Sequence, residues 1–138
     1  MDMDGPEAWD ISTGKASVIV VVIDTGVQQN HPDIYQVTGM DFTSDGPGDG
    51  GPGNIHDNHG TPVAGCISAT VNNSIGTVGI APGCRIASAR TFITTNSNGS
   101  WSRLSSWTVN TLVWAETLGA RVTNNSNRYG FSSAAVSD

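Results

Sequence analysis

The 138-residue chain contains 37% hydrophobic residues and 17 glycines but only 13% charged residues, where about 25% is usual for a soluble domain. Disorder usually accompanies high charge and low hydrophobicity, so this balance favours one packed domain with a real core. Six basic against twelve acidic residues give a net charge of −6. That balance excludes the basic surface by which proteins bind nucleic acid. The longest apolar run, Val18–Ile23, is far shorter than the roughly 20 residues that cross a bilayer, so no membrane partner is expected.

The first half of the chain alternates helix-like and strand-like segments. A short helix is predicted from Pro6 to Ile11, because proline is favoured in the first helical turn. The β-branched run Ala16–Ile23 is typical of a strand buried on both faces, as in a parallel sheet. Val37–Phe42 predicts a further short strand, and the glycine- and proline-rich stretch 44–54 predicts a loop.

The second half continues this alternation. Thr61–Val71 is rich in small residues and predicts a central buried helix. Arg85–Phe92 predicts a strand, and Leu104–Leu118 carries apolar residues at helical spacing. Arg121–Ser126 predicts another strand, and a further helix is predicted from Phe131 onward. Strands alternating with helices predict an α/β fold, with a mostly parallel sheet flanked by helices.

The chain has two cysteines, Cys66 and Cys84, whose spacing does not suit a metal site. They are compatible with one disulfide if their Cα atoms lie within about 7 Å of each other. They are also compatible with two small buried hydrophobic residues. We favour the second interpretation.

The composition also bears on the compartment. Lys15 is the only lysine, and serine, threonine, asparagine and glycine are abundant, a pattern common in exported bacterial proteins. The acidic start of the chain does not resemble a secretory signal. We therefore expect an extracellular protein whose signal and propeptide are not in this chain.

Two motifs carry candidate chemistry. Asp24, in Val22-Ile23-Asp24-Thr25-Gly26, closes the first buried strand, and catalytic groups of open α/β sheets lie at the carboxyl ends of strands. A buried carboxylate needs hydrogen bonds or a cationic partner. His59 lies directly before the small-residue helix, and a histidine held by a carboxylate is the general base of a Ser–His–Asp triad. Their coincidence favours catalysis over a structural role for either residue.

Two other chemistries are compatible with parts of these motifs. Hydrophobic-Asp-Thr-Gly is also the signature of aspartic proteases, but these need two carboxylates in an all-β setting. The sequence has no second Asp-Thr-Gly or Asp-Ser-Gly. Zinc-dependent hydrolysis through the run His56-Asp57-Asn58-His59 is the other alternative, although the flanking loop is glycine-rich and not helical. We rank both below the triad.

The two motifs and the segments around them resemble the subtilisin-like serine proteases, the subtilase family. The resembling stretches are Val-Ile-Asp-Thr-Gly-Val around Asp24, His-Pro-Asp-Ile at 31–34, His-Gly-Thr-Pro-Val-Ala-Gly at 59–65, and Asn72–Pro82. The resemblance implies a subtilisin-like fold and hydrolysis of peptide bonds in polypeptide substrates. It assigns Asp24 as the triad acid and His59 as the general base, and it implies no organic cofactor.

The serine of such a triad has no counterpart in these 138 residues. The family carries it in a Gly-Thr-Ser-Met-Ala-like motif, whereas Gly-Thr is followed here by Pro62 and by Val78. We therefore expect residues 1–138 to be the N-terminal portion of a subtilase catalytic domain that is inactive alone. Its partner would be the missing C-terminal part. The alternative is a truncated or degenerate pseudo-protease that only binds peptides.

The resemblance also implies two binding sites. Contacts with an extended peptide substrate, of the strand-addition type, are implied for Ser100, Trp101, Ser102, Ser126 and Asn127. The loop after the small-residue helix resembles the family's structural calcium loop. The implied ligands are hard oxygens, as calcium requires: the side chains of Asp33 and Asn73 and the backbone carbonyls of Val71, Ile75 and Thr77. A loop that binds no ion is the alternative.

Overall fold

The computed structural model describes residues 3–127, which form a four-stranded sheet flanked by helices. The sheet strands are β1 (Ile19–Asp24), β2 (Gln36–Asp41), β3 (Arg85–Arg90) and β6 (Val122–Asn124). They lie in the order β2–β3–β1–β6, and every pairing is parallel. The helices are α1 (Gly5–Trp9), α2 (Gly60–Ser68) and α3 (Ser105–Thr117). The predicted α/β fold is confirmed, and the helix predicted from Phe131 onward lies outside the described residues.

Strand β1 is buried on both faces, as its continuous apolar run predicts. Successive side chains of a strand point to opposite faces of the sheet. Val22 packs in the core layer that includes Ala64 of α2, whereas Val21 packs in the layer that includes Ala115 of α3. The two helices therefore cover opposite faces of the sheet. Each fully buried valine contributes about 1.5 to 3 kcal/mol through loss of apolar surface.

Helix α2 contacts the sheet through its smallest side chains. Gly60, Ala64 and Ser68 are its buried positions, and a spacing of four residues places them on one helix face. The Ser68 hydroxyl donates a hydrogen bond of 2.7 Å to the carbonyl of Cys84. Cys66 lies about 200° around the helix axis from Ala64 and is exposed. Both cysteines are free, so the prediction of two buried thiols is confirmed for Cys84 and wrong for Cys66.

Two short strands were not predicted. β4 (Ile93–Thr94) and β5 (Trp101–Ser102) form an antiparallel pair on either side of the polar stretch 95–100. The Thr95 amide donates to the Ser100 carbonyl at 2.7 Å and closes the connection. Two residues per strand are too few to produce a recognisable alternation.

The carboxyl ends of three parallel strands meet at one edge of the sheet. Asp24 ends β1, and its register partner Arg90 ends β3. Ser126 and Asn127 follow the end of β6. Within residues 3–127, no helix combines the length and hydropathy that crossing a bilayer requires.

Candidate active site

The structure brings Asp24 and His59 into direct contact. The Asp24 side chain is 2% exposed, and the Nδ1 atom of His59 lies 2.9 Å from both of its carboxylate oxygens. The His59 side chain is 56% exposed. With Nδ1 held by the carboxylate, Nε2 is the nitrogen available for proton exchange with a bound molecule.

Thr25 fixes the orientation of the carboxylate and ties it to α2. Its amide and hydroxyl donate to Oδ1 of Asp24 at 2.7 and 3.2 Å. The same hydroxyl accepts a hydrogen bond of 3.2 Å from the Gly60 amide, the first residue of α2. The Asp24 carbonyl accepts from the amides of Thr91 and Phe92. Thr25 and His59 thus hold the carboxylate, and the segment after β3 holds the Asp24 backbone.

Gly60 allows the helix to approach the carboxylate. A Cβ atom at this position would lie 2.4 Å from the carbonyl oxygen of Gly26 and 3.1 Å from the Cβ of Asp24. Contacts this short between a Cβ and backbone require the backbone to move. The glycine after the histidine therefore determines how closely His59 can approach Asp24.

A cleft of about 270 Å³ opens beside the Asp–His pair. Its lining residues come from the carboxyl edge of the sheet and from the β4–β5 hairpin: Asp24, Thr25, Asn58, His59, Phe92, Thr94, Gly99, Trp101, Ser126 and Asn127. Of the five predicted substrate residues, Trp101, Ser126 and Asn127 line the cleft. Ser100 and Ser102 are not among its lining residues.

One wall of the cleft is aromatic. Phe92 and Trp101 pack edge to face, with ring centroids 5.4 Å apart, a geometry that adds to the free energy of simple burial. The guanidinium of Arg103 lies 5.8 Å from the centroid of the Trp101 ring, within range of a cation–π interaction. Trp101 remains 44% exposed, so its ring offers apolar surface to a bound molecule.

A buried arginine, which the sequence did not predict, lies close to this site. Arg90 is fully buried, and its Nη2 and Nε atoms lie 2.8 and 3.0 Å from Oδ2 of Asp57. Its Nη1 atom lies 3.1 Å from Oδ2 of Asp41 and also contacts Asp45 and Thr43. The sequence did contain an indication of this arginine, because Arg90 is a charged residue at the end of a strand whose interior is uncharged. Nothing in the sequence showed which aspartates would surround it.

Burial and pairing act in opposite directions on the pKa values of this cluster. Burial alone would lower the pKa of Arg90, but hydrogen bonds to Asp45 and Asp57 raise it above its ordinary value. Burial alone would raise the pKa of Asp45, but hydrogen bonds from Arg90 and Thr43 hold it below its ordinary value of 3.8. Pairing therefore prevails at both groups and keeps them ionised.

The zinc alternative is not supported by this geometry. Asp57 is buried against Arg90, and His59 is bound to Asp24. Across residues 3–127, no group of three or more histidine, cysteine, aspartate or glutamate side chains converges on a metal position. The run 56–59 therefore forms an ion pair and a histidine–carboxylate pair in place of a zinc site.

The predicted calcium loop surrounds a buried carboxylate. Asp33 is 2% exposed, and its Oδ1 accepts from the Thr70 amide at 3.1 Å and from the Asn73 side-chain amide at 2.6 Å. The Asn73 Oδ1 atom accepts from the Ile75 amide at 3.0 Å. A Cβ atom on Gly76 would lie 2.6 Å from Oδ2 of Asp33, so the loop closes tightly over this oxygen. The ligand set that the resemblance implies is one carboxylate among neutral oxygens, which is chemically suited to a hard cation.

The fold and the site define a class: α/β proteins that hold an Asp–His pair at the carboxyl edge of a mostly parallel sheet. The family model described as the subtilase family matches residues 15–138, and the chain belongs to this family. The predicted resemblance is confirmed, and the aspartic protease alternative is wrong.

Similar proteins extend well beyond this chain in length. Thermitase of Thermoactinomyces vulgaris is 38% identical over 122 residues, which are 87% of this chain and 40% of thermitase. The thermophilic serine proteinase of Bacillus sp. (strain AK1) is 36% identical over 85% of this chain and 27% of its own length. A crystal structure of MycP1 with the N-terminal propeptide removed matches with a TM-score of 0.66 and 32% identity, covering 92% of this chain and 39% of MycP1. The chain thus spans about a quarter to two fifths of these relatives.

Replacing Gly60 by alanine should disrupt the Asp–His contact, because the new methyl group would collide with the Gly26 carbonyl. We expect Gly60→Ala to destabilise the fold by roughly 1 to 3 kcal/mol, the usual cost of overpacking, measured by urea denaturation. Gly65→Ala in the same helix is the matched control, because nothing lies within 4 Å of its added Cβ. It should stabilise the chain by about 0.5 to 1 kcal/mol through helix propensity. Equal effects of the two substitutions would contradict the close-approach argument.

The Asp45–Arg90 pair should make stability depend on pH in the acidic range. Because the pKa of Asp45 is lowered on folding, its contribution to stability is present above the unfolded pKa and is lost as pH falls through the folded value. The difference in unfolding free energy between the parent chain and Asp45→Asn should be less than about 1 kcal/mol at neutral pH, since Asp45 is half exposed. It should shrink progressively as pH falls from neutral through the ordinary and then the lowered pKa of Asp45. Denaturation curves at several pH values test this, and a difference that grows towards low pH would contradict it.

Proposed function

We propose that this chain contributes the acid and the base of a subtilisin-type serine endopeptidase. The single observation that carries the proposal is the double 2.9 Å contact between Nδ1 of His59 and the buried carboxylate of Asp24. This arrangement fixes the imidazole tautomer and leaves Nε2 free to act as a base. Family membership supports the same chemistry.

The proposed mechanism is acyl transfer. Nε2 of His59 takes the proton from a serine hydroxyl, which attacks the carbonyl carbon of the scissile peptide bond. The carboxylate of Asp24 stabilises the resulting imidazolium without taking its proton. The imidazolium then protonates the leaving amine, and a water molecule activated by the same nitrogen hydrolyses the acyl-enzyme. The serine would come from polypeptide outside these 138 residues.

The cleft beside His59 is the proposed path of the polypeptide substrate. We assign peptide contacts to two segments, with these residues: Ser100, Trp101, Ser102, Ser126 and Asn127. The exposed strand β5 suits backbone pairing with an extended peptide. The Trp101 ring, packed against Phe92, offers apolar surface to one substrate side chain. The low charge of the chain suits an extracellular enzyme.

We further propose that the loop around Asp33 binds a structural calcium ion. The side-chain oxygens of Asp33 and Asn73 and the carbonyls of Val71, Ile75 and Thr77 would hold it. The bound ion would supply positive charge to the buried Asp33 carboxylate and fix the loop that follows α2.

The activity proposal predicts that the 138-residue chain alone resists labelling by a fluorophosphonate probe, because it lacks the serine. A chimera should become active when residues 15–127 replace the matching segment of the Bacillus sp. (strain AK1) serine proteinase. In that chimera, Asp24→Asn should lower kcat by about 10⁴-fold, as loss of the tautomer-fixing carboxylate does in such triads. Glu116→Gln, at an exposed position of α3, is the matched control and should leave kcat unchanged.

Two outcomes would contradict this proposal. Stoichiometric labelling of the isolated chain would show that a nucleophile lies within it. A folded chimera that binds peptides but neither reacts with the probe nor hydrolyses them would support the peptide-binding pseudo-protease instead.

The calcium proposal predicts a metal-dependent stability. Calcium at about 100 times its dissociation constant should stabilise the chain by about 2.7 kcal/mol, and a chelator should reverse the gain. Asp33→Asn should abolish this increment, whereas Asp49→Asn, in the exposed glycine-rich loop, should retain it. The measurement is the thermal midpoint with and without calcium for each variant. Equal increments in the parent chain and in Asp33→Asn would refute the assignment.

A further inference from the structure

Arg90 lies next to Asp24 on the neighbouring strand of the sheet. It is the register partner of Asp24 on the neighbouring parallel strand, so the two side chains leave the sheet on the same face. Its side chain is fully buried. A buried ionic cluster contributes little net stability compared with apolar residues of similar volume. The presence of Arg90 is therefore better explained by the geometry that it imposes on its neighbours than by a gain in stability.

Asp57 connects Arg90 to both sides of the candidate active site. Its Oδ2 accepts from Nε and Nη2 of Arg90 and from the Gly53 amide at 3.0 Å. Its Oδ1 accepts from the amide of Thr94 at 2.8 Å. Thr94 lines the cleft, and Asp57 lies two residues before His59. One carboxylate thus joins the approach to the base with the cleft wall.

The guanidinium also fills the space beneath the glycine-rich loop. A Cβ atom on Gly53 would lie 2.5 Å from Cζ of Arg90, so the loop rests directly on the flat face of the group. On the other side, Nη1 reaches Asp41 at the end of β2 and Asp45 in the loop. The planar fork of arginine can bind several acceptors at fixed angles, which a lysine ammonium cannot do.

We propose that Arg90 is a positioning residue for His59 and for the cleft wall, acting through Asp57. The guanidinium fixes the Asp57 carboxylate, and that carboxylate fixes the segment that enters α2 together with the start of β4. The imidazole of His59 therefore meets Asp24 in a single geometry before any substrate binds. This inference rests on the proposed function only in giving the Asp–His pair a catalytic task.

The test uses the full 138-residue chain and nuclear magnetic resonance. An imidazole N–H donated to a carboxylate gives a low-field proton signal, which reports the contact between His59 and Asp24. In Arg90→Lys, we expect this signal to broaden or disappear while the chain remains folded. Exchange of the Gly53 and Thr94 amides should become about tenfold faster or more, because both lose the fixed Asp57 acceptor. Amides in the β1–β3 pairing should keep their protection.

Arg85→Lys is the matched control, because Arg85 begins the same strand at its opposite end. It should leave the His59 signal and both amides unchanged. A folded Arg90→Lys chain with an unaltered His59 signal would overturn the proposal, because a purely structural arginine affects stability alone.

If Arg90→Lys fails to fold, Asp45→Asn decides the question. Asp45 is the half-exposed member of the cluster and contacts Nη1, so its loss should spare the fold. Exchange at Thr94 and at the His59 ring should then accelerate roughly twofold to fivefold, and no change would overturn the proposal. The signal requires only Asp24 and His59, so a lack of peptidase activity in the chimera would contradict the proposed function and leave this inference standing.

Discussion

The need to satisfy one buried carboxylate, that of Asp24, organises the carboxyl edge of the sheet. An ionised group that is 2% exposed is stable only with hydrogen bonds or a cationic partner. Thr25 and His59 provide these partners, and the contact with His59 depends on how closely α2 approaches β1. That approach in turn requires the bare backbone of Gly60. The pairing of acid and base is therefore a consequence of helix–sheet packing.

A second buried charge, that of Arg90, lies on the same face of the sheet and has a different set of partners. Arg90 is one of only six basic residues in the chain, and it is surrounded by three aspartates. Asp24 keeps one partner that stays half exposed and open to chemistry, whereas Arg90 has its donors engaged by buried or half-buried acceptors. Two neighbouring strand ends thus carry one site suited to proton transfer and one suited to holding the loops in place.

The cleft is assembled by segments that are distant in sequence. Phe92 follows β3, Trp101 belongs to β5, and Asn127 follows β6. Parallel strands place their carboxyl ends side by side, which brings Phe92 and Asn127 close to His59. The antiparallel β4–β5 hairpin adds Trp101 to this edge. The chain spans no more than two fifths of thermitase and MycP1. Packing within this chain is nevertheless sufficient to form the Asp–His pair and the adjoining cleft.

Local patterns in the sequence determined the strands, the main helices and the identity of the candidate acid and base. The apolar run around Val21 predicts a strand that is buried on both faces. Asp24 and His59 lie in motifs that can be recognised without any knowledge of the fold. Contacts between distant segments were decided only by tertiary structure. The exposure of Cys66 depends on which face α2 turns to the sheet, and the partners of Arg90 depend on loops whose path no periodicity encodes. Periodicity reports the environment of one element, whereas a buried ion cluster or a cleft is formed by several elements together.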